Sequence, residues 1–126
     1  MPKSRVIHLF TCLAMTLSLT IERRGRTALV SLGGEVDLSS SPDVRKEVVA
    51  CLNDRWDVVV EMTHVLYIDS SGIAALVEGY QTAKRFGVRF ALAALSPPAL
   101  RVMKMARLDS VFTIFEKTAE ALVAEV

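Results

Sequence analysis

Polar and apolar residues alternate strictly from residue 16 to 22, which is the pattern of a β-strand with one buried and one exposed face. The polar turn Arg23-Arg24-Gly25-Arg26 follows, and a second apolar run extends over residues 27–32. Two such runs joined by a short turn that contains glycine are typical of a β-hairpin. The pattern therefore predicts an antiparallel pair of strands near the start of the chain.

A helical period replaces the alternation after the sequence Gly33-Gly34. Three serines precede Pro42, and serine at the cap position with proline at the first helical position is a common helix start. Apolar residues then recur at Val44, Val48, Cys51 and Leu52, which is the spacing of one buried helix face. A helix is expected from Pro42 onwards.

The run 58–60 consists of three valines, which is typical of a strand buried on both faces in a parallel sheet. Residues 65–68 continue as an apolar approach to Asp69-Ser70-Ser71-Gly72, where a helix is predicted to begin. Apolar residues at three- and four-residue spacings carry this helix to about Phe86, and Gly87 is expected to end it.

The remaining chain repeats the alternation of strand and helix. We predict a strand over 88–95, a helix that Ser96-Pro97-Pro98 starts and that ends near Ala106, a strand over 111–115 and a helix over 116–126. Such an order predicts a single α/β domain. Its sheet is expected to be mixed but mostly parallel, with about five strands, an N-terminal antiparallel hairpin and about four helices.

Composition supports one compact domain and argues against several kinds of site. The 126 residues are 52% hydrophobic and carry a net charge of +1, without a basic run, so direct nucleic-acid binding is not indicated. The two cysteines, Cys12 and Cys51, are expected to be reduced and buried. His8 and His64 have no partner at metal-ligand spacing, so neither a metal nor a cofactor is expected.

The first fifteen residues have two interpretations. Lys3 and Arg5 precede an uncharged stretch that resembles a signal peptide, although several polar side chains dilute its hydrophobicity. The preferred interpretation is an N-terminal extension over residues 1–15 and a domain over 16–126, with Met15 as the working start. A cytoplasmic protein without a membrane span is then expected.

Asp69-Ser70-Ser71-Gly72 is the segment with the clearest candidate chemistry. It opens a helix, where unpaired backbone N–H groups and the helix dipole favour an anion such as a phosphate. Serine is also a frequent helix cap without any further role. Local sequence alone leaves both interpretations open.

A catalytic serine is the alternative from a different class of function. A serine nucleophile needs a histidine base within hydrogen-bond reach, and it usually lies on a strained turn of the type GxSxG. This chain offers only His8 and His64. Phosphate-binding loops of the types GxxxxGK[ST] and GxGxxG are absent from the sequence. We therefore expect a binding module and no catalytic residues.

Four blocks of the sequence, in order, resemble the STAS-domain family of bacterial anti-sigma-factor antagonists. They are Gly34-Glu35-Val36-Asp37 with the following serines and Pro42, the stretch from Val58 through Asp69-Ser70-Ser71-Gly72 to Ile73, Leu92-Ala93-Ala94-Leu95-Ser96-Pro97, and Leu108-Asp109-Ser110-Val111-Phe112. The resemblance extends from about Leu17 to the C-terminus. One difference from the family pattern is Arg107, which stands where relatives have glycine. Either Arg107 adopts a left-handed conformation at some cost, or the third helix ends differently.

The resemblance implies a role in partner switching. The unmodified antagonist binds an anti-sigma factor that is also a serine kinase, and phosphorylation of the antagonist ends the complex. On this chain the resemblance makes Ser70 the phosphorylated residue and Ser71 a secondary candidate. Asp69, Gly72 and Asp37 join them as expected partner contacts, with Gly72 allowing the partner to approach closely.

The resemblance also implies a PP2C-type phosphatase as a second partner, which would restore the unmodified antagonist. A rival within the same family is a STAS subunit of a lipid ABC transporter or of another transporter, which needs no phosphoserine. Cationic residues of the third helix, Arg101, Lys104 and Arg107, could contact an acidic partner or could simply be solvated.

Overall fold

Strands and helices alternate along most of the chain in the computed structural model, which describes residues 6–10 and 17–123. The strands are β1 (Val6–Phe10), β2 (Leu17–Arg24), β3 (Thr27–Val36), β4 (Asp57–Ile68), β5 (Phe90–Ala93) and β6 (Thr113–Phe115). The helices are α1 (Ser41–Asn53), α2 (Ser70–Phe86), α3 (Pro97–Met105) and α4 (Thr118–Val123). The α/β class and the four helices agree with the prediction.

The strands form one sheet in the order β1-β2-β3-β4-β5-β6. The pairs β1/β2 and β2/β3 are antiparallel, whereas β3/β4, β4/β5 and β5/β6 are parallel. The predicted mixed, mostly parallel sheet with an antiparallel hairpin is therefore confirmed. Because β3 to β6 run in one direction, the starts of α1, α2 and α3 all lie at the carboxyl end of the sheet.

The main core lies between one face of the sheet and helices α1, α2 and α3. Alternate residues of each strand point into it, as the two-residue period of a strand requires. Its fully buried side chains include Leu19, Val30, Val60, Leu76 and Met103. A smaller cluster on the opposite face joins Leu29, Val59 and Ala93 to Ala121 of α4. The valine run 58–60 is buried on both faces, which confirms the interpretation of its sequence.

Two parts of the sheet differ from the prediction. Residues 6–10 form β1, where the sequence pattern predicted no strand, and β1 pairs with β2 from Val6↔Glu22 to Phe10↔Ser18. Strand β3 continues through Gly33-Gly34 to Val36, although the glycines were expected to end it. The pairing with β4 shifts register at both glycines, so irregularities accommodate residues that interrupt the alternation.

The ends of the central helices agree with the prediction. Gly87 ends α2 in a left-handed conformation with φ of 69°, and the Ser96 side chain accepts a hydrogen bond from the N–H of Ala99 at the start of α3. Arg107, two residues after α3, has φ of 59°. Of the two alternatives, the left-handed conformation is therefore the one that the chain adopts where relatives have glycine.

Several predictions concern residues that the structure describes only in part. Cys51 is a free, buried cysteine, whereas Cys12, Met15 and the domain boundary at residue 16 lie outside the described residues. None of the helices within the described ranges has the length and apolar character needed to cross a membrane. In the same ranges, no three His, Cys, Asp or Glu side chains are grouped so that they could hold a metal ion.

Candidate functional site at the carboxyl end of β3 and β4

Strands β3 and β4 end side by side, and each is followed directly by an aspartate. Val36 is in register with Ile68, and the N–H of Asp69 donates to the carbonyl oxygen of Val36 at 3.2 Å. The parallel pairing therefore brings Asp37 and Asp69 to the same edge of the sheet, although 32 positions separate them in the sequence. Sequence analysis assigned both residues to one site, and the structure brings them together.

Asp69 caps helix α2. Its Oδ1 accepts hydrogen bonds from the backbone N–H groups of Ser71 at 2.9 Å and Gly72 at 3.2 Å, and from the Ser71 hydroxyl at 2.6 Å. The hydrogen bond from the Ser71 hydroxyl, followed by those from the two N–H groups, lowers the pKa of Asp69, whereas burial and the charge of Asp37 oppose this effect. Asp69 is therefore an ionised carboxylate at neutral pH.

This cap changes one expectation about the helix start. The N–H groups expected to be open to a phosphate are partly occupied, because the carboxylate of Asp69 already accepts from those of Ser71 and Gly72. A phosphate on either serine would thus lie beside a fixed negative charge. Its negative charges would face the solvent or a partner rather than an empty anion site.

The two serines of the segment have different surroundings. The Ser71 hydroxyl is partly buried and donates to Asp69. Ser70 is exposed at the first position of α2, and within the described part of the chain no side chain or backbone group hydrogen-bonds its hydroxyl. Ser70 thus offers a free nucleophilic oxygen, while the oxygen of Ser71 is engaged in the cap.

Gly72 is buried, and its surroundings give a reason for glycine that differs from the one expected. A Cβ atom at this position would lie 2.7 Å from Cγ1 of Ile68 and 2.7 Å from the carbonyl oxygen of Val36. Real Cβ atoms do not approach other heavy atoms so closely, so the first turn of α2 packs on the strand ends only because residue 72 has no side chain. The contact of Gly72 with a partner stays a prediction.

Asp37 organises the loop between β3 and α1. Its Oδ1 accepts from the hydroxyl of Ser39 at 2.8 Å and from the backbone N–H of Ser39 at 3.0 Å. The Ser40 hydroxyl accepts from the N–H of Asp37 and donates to the carbonyl oxygen of Glu35. The hydrogen bond from the Ser39 side chain is the main cause that lowers the pKa of Asp37, so this aspartate is also ionised at neutral pH.

A shallow depression of about 550 Å³ joins the two aspartates, and its other lining residues are Leu38, Ser39 and Tyr67. No cationic residue is among these five. The side chains of Leu38, Tyr67 and the neighbouring Leu66 are 76%, 51% and 71% exposed. Large apolar side chains so exposed beside a polar centre are typical of a surface that contacts another protein.

Sequence analysis did not assign these apolar residues to the site. Leu66 and Tyr67 belong to the apolar run 65–68 that leads to Asp69, and β4 buries Val65 and Ile68 while it exposes the two residues between them. This three-residue spacing departs from the alternation of a regular strand. No signal in the local sequence distinguishes it from a buried run.

A second, narrower groove of about 250 Å³ runs between α1 and α2 and begins beside Ser71. Arg45 of α1 spans it and forms an ion pair with Glu78 of α2, with 2.6 Å between Nε and Oε1. Both side chains are substantially exposed, so the pair contributes little to stability. Both residues line the groove.

The two histidines lie far from the serines. His64 is in register with Gly33 in the middle of the long strand β4, and four residues of strand at about 3.3 Å each place Ile68, at the strand end, roughly 13 Å further along. The backbone of His8 is in register with Thr20 on the far side of β3. The arrangement of a serine hydrolase, with a histidine base against the hydroxyl, is not formed by His64.

Comparison with known proteins agrees with this fold. The chain is 26% identical over 110 residues to an anti-sigma F factor antagonist of Paenibacillus polymyxa. The aligned residues cover 86% of this chain and 94% of the relative. It is 24% identical over 104 residues to the anti-sigma-B factor antagonist of Bacillus subtilis, with coverages of 82% and 95%.

Solved structures share the same architecture. An anti-sigma factor antagonist from Mycobacterium paratuberculosis superposes with a TM-score of 0.78 at 22% identity, over 85% of this chain and 92% of the other. The Bacillus cell fate determinant SpoIIAA, in its phosphorylated form, gives a TM-score of 0.67 at 19% identity, over 82% and 96%. The family model of the STAS domain matches residues 18–121, which is most of the chain. The chain therefore belongs to the STAS domain family.

Proposed function

We propose that this protein is an anti-sigma-factor antagonist that acts by binding and is released by phosphorylation of Ser70. The observation that carries the proposal is the contrast between the two serines of the Asp69 cap. The Ser70 hydroxyl is exposed and without a hydrogen-bond partner in the described residues, whereas the Ser71 hydroxyl donates to Asp69. A kinase can reach Ser70 without disturbing the cap.

The surface around Ser70 supports a docking role. Exposed Leu38 and Tyr67 flank the ionised carboxylates of Asp37 and Asp69 around the depression. An interface of this composition fits a partner that presents apolar side chains together with a lysine or arginine. The names of the relatives support an anti-sigma factor as the partner. That this partner is also a serine kinase, and that a PP2C-type phosphatase removes the phosphate, are parts of the proposal.

Electrostatics explain how one phosphate could end the complex. Phosphorylation adds nearly two negative charges at neutral pH. On Ser70 they would lie next to Asp69, whose carboxylate already occupies two N–H groups of the helix start. Asp37 and Asp69 already balance the charge of the partner's lysine or arginine, so the charges of the phosphate are in excess in the contact. An unbalanced charge in a desolvated contact costs roughly 2–5 kcal/mol, and each 1.4 kcal/mol is a tenfold change in affinity. The described part of the fold needs no rearrangement, because none of its groups forms a hydrogen bond with the Ser70 hydroxyl.

The proposal is tested by capture from extracts of the native host, with Ser70→Ala and Ser70→Asp proteins as baits and mass spectrometry of what they retain. We expect Ser70→Ala to retain an anti-sigma factor and Ser70→Asp to lose it. Ser71→Ala is the matched control, and it should still bind because the Ser71 hydroxyl donates to Asp69 and is not offered to a partner. Capture of a permease or a transporter ATPase in place of an anti-sigma factor would overturn the proposal in favour of a transport role.

A further inference from the structure

Arginines gather at the opposite end of the sheet from Ser70, where β3 and β4 begin. The β2–β3 turn, the connection from α1 to β4 and the last turn of α2 all reach this end. The arginine end comprises Arg23, Arg24, Arg26, Arg55 and Arg85. Two backbone contacts join the β2–β3 turn to the α1–β4 connection. Thr27 is in register with Asp57, and the N–H of Asp57 donates to the carbonyl oxygen of Arg26 at 2.9 Å.

Aromatic rings hold two of these arginines in place. The guanidinium carbon of Arg23 lies 3.9 Å from the ring centre of Trp56, and that of Arg55 lies 3.9 Å from the ring centre of Phe86. A guanidinium stacked on a ring keeps its N–H edge available for hydrogen bonds, and less conformational entropy is then lost on binding. Both arginines are therefore preorganised to receive an acceptor.

The backbone also fixes Arg55. It has φ of 66°, a left-handed conformation that is unfavourable for a residue with a long side chain. One of its guanidinium nitrogens donates to the carbonyl oxygen of Asn53 at 3.1 Å. The conformation has a local cause, because Arg55 follows the cap residue of α1 and its N–H donates to the carbonyl oxygen of Leu52 at 2.9 Å, as at the end of many helices.

The arginine end has an excess of positive charge. Five arginines stand against three acidic residues here, Glu22, Asp54 and Asp57. Glu22 pairs with Arg24 at 2.9 Å, but Arg23, Arg26, Arg55 and Arg85 form no ion pair with any residue that the structure describes. A cavity of about 130 Å³ opens among Arg26, Asp54, Arg55 and Trp56. At about 30 Å³ for each water in the liquid, it has room for a carboxylate group with its methylene.

We propose that the arginine end is a second docking site, which binds an acidic segment of a partner protein through its aspartate or glutamate side chains. Most of the cations at this end are arginines, with Lys84 beside Arg85 in the last turn of α2, and the planar guanidinium matches a carboxylate with two parallel hydrogen bonds. The cavity beside Trp56 would receive one such carboxylate between Arg26 and Arg55. The unpaired arginines around it would contact neighbouring acidic residues of the same segment.

Two other anionic partners fit this surface less well. Single-stranded nucleic acid binds by stacking bases on exposed aromatic rings, but guanidinium groups already cover Trp56 and Phe86. An anionic membrane is bound by cations together with inserted apolar side chains. Of the large apolar side chains exposed in the described residues, none belongs to the β2–β3 turn, the α1–β4 connection or the last turn of α2.

This site goes beyond the proposed function, because it lies at the other end of the molecule from Ser70. Strand β4 runs from Asp57 to Ile68, and eleven steps of about 3.3 Å separate its two ends by roughly 36 Å. That distance is several times the screening length of about 8 Å at physiological salt. One molecule could therefore hold an acidic segment and a partner at the Ser70 end together.

Trp56 gives a direct readout, because it is the only tryptophan in the chain and it lines the cavity. We would titrate the full-length protein at low salt with a short polyglutamate peptide and follow the fluorescence of Trp56. The expected result is a saturable change that weakens as salt is added. Arg26→Glu should weaken binding about tenfold or more while the circular dichroism spectrum stays unchanged.

Arg101→Glu is the matched control, since it makes the same charge reversal at an exposed position of α3 outside the arginine end. It should bind polyglutamate within about twofold of the unaltered protein, because long-range charge effects are screened. An absence of saturable change, or equal weakening by Arg26→Glu and Arg101→Glu, would overturn the proposal. Tighter binding of a single-stranded DNA oligonucleotide or of phosphatidylglycerol vesicles than of the peptide would also overturn it.

Discussion

The two ends of the sheet are built from different chemistry. At the carboxyl end, short side chains of aspartate and serine make a network of hydrogen bonds around Asp37 and Asp69. At the amino end, arginines stack on Trp56 and Phe86 and leave much of their charge unpaired. A net charge of +1 for the whole chain conceals this separation into an acidic end and a basic end.

The topology of the sheet gives a physical reason for the difference. Helices that connect parallel strands begin at the carboxyl end and finish at the amino end, so their dipoles point the same way. Acidic caps such as Asp69 are favoured at the helix starts, and cations such as Lys84 and Arg85 are favoured in the last turn of α2. Parallel βαβ units therefore tend to separate charge, and each end can recognise a different kind of partner.

The largest effect on stability is expected at the carboxyl end, from Gly72→Ala. The added methyl group would meet a backbone oxygen of β3, which cannot turn aside as a flexible side chain can. Overpacking of this kind costs roughly 3 kcal/mol in the free energy of unfolding. Urea denaturation of the variant measures the loss.

Ala74→Gly, at an exposed position of the same helix, is the control for Gly72→Ala and should cost only about 1 kcal/mol. If Gly72→Ala were no more harmful than this control, the close packing of α2 on the strand ends would be wrong.

Removal of the cap should have the next largest effect. Asp69→Ala deletes the acceptor for two backbone N–H groups and is expected to lower the free energy of unfolding by about 1 kcal/mol. Asp69→Asn keeps an amide oxygen at the cap position, so its free energy of unfolding should fall by only a few tenths of a kcal/mol. Equal losses in the two variants, measured by urea denaturation, would show that charge rather than capping accounts for the role of Asp69.

Arg107→Gly tests a left-handed position at the carboxyl end of α3. Glycine adopts φ of 59° without strain, and the Arg107 side chain forms no ion pair within the described residues. The substitution should raise the free energy of unfolding by about 0.5–1 kcal/mol. Thermal denaturation would show a higher melting temperature, and a lower one would mean that the arginine side chain has a stabilising contact.

Acid should lower the stability of the folded protein through the two aspartates at the carboxyl end of the sheet. The pKa values of Asp37 and Asp69 are lowered from the usual 3.8 chiefly by hydrogen bonds from the Ser39 and Ser71 side chains. Their ionised forms therefore stabilise the folded protein fully above the pKa of the unfolded chain, and this contribution is lost as the pH falls below about 4. Asp69→Asn should lose less stability than the unaltered protein between pH 7 and pH 3, in urea denaturation curves at both values. Identical losses would contradict the lowered pKa of Asp69.

The smallest change in stability is expected from Arg26→Glu at the amino end. The Arg26 side chain is exposed and lacks an ion pair among described residues, and its structural contact is made by its backbone oxygen. The free energy of unfolding should change by less than about 0.5 kcal/mol, even though binding of an acidic peptide is reduced. A large loss of stability would mean that the arginine end has a structural role rather than a binding role.

The ends of the helices could be predicted from local sequence signals, whereas the full extent of strand pairing in the sheet could not. Gly87, Ser96 and Arg107 have the roles that helix-end chemistry predicts. Strand β1 and the passage of β3 through Gly33-Gly34 were missed, because strand pairing across the sheet outweighs the local pattern.

The site was predictable in its polar residues and not in its surroundings. The family resemblance identifies Asp37, Asp69 and Ser70, but it does not reveal that Asp69 binds the Ser71 hydroxyl and leaves that of Ser70 free. The arginine end had no signal at all, since its five residues come from three segments that only the folded sheet brings together.

The most direct test of the central claim is phosphorylation by an extract of the native host with radiolabelled ATP. The unaltered protein, Ser70→Ala and Ser71→Ala would be compared at equal concentration, each purified in its folded form. The account predicts that Ser71→Ala is labelled and Ser70→Ala is not. Of these two serines, Ser71 donates its hydroxyl to Asp69, whereas that of Ser70 has no hydrogen-bond partner in the described residues. Equal labelling of Ser70→Ala and the unaltered protein, or loss of label only in Ser71→Ala, would contradict it.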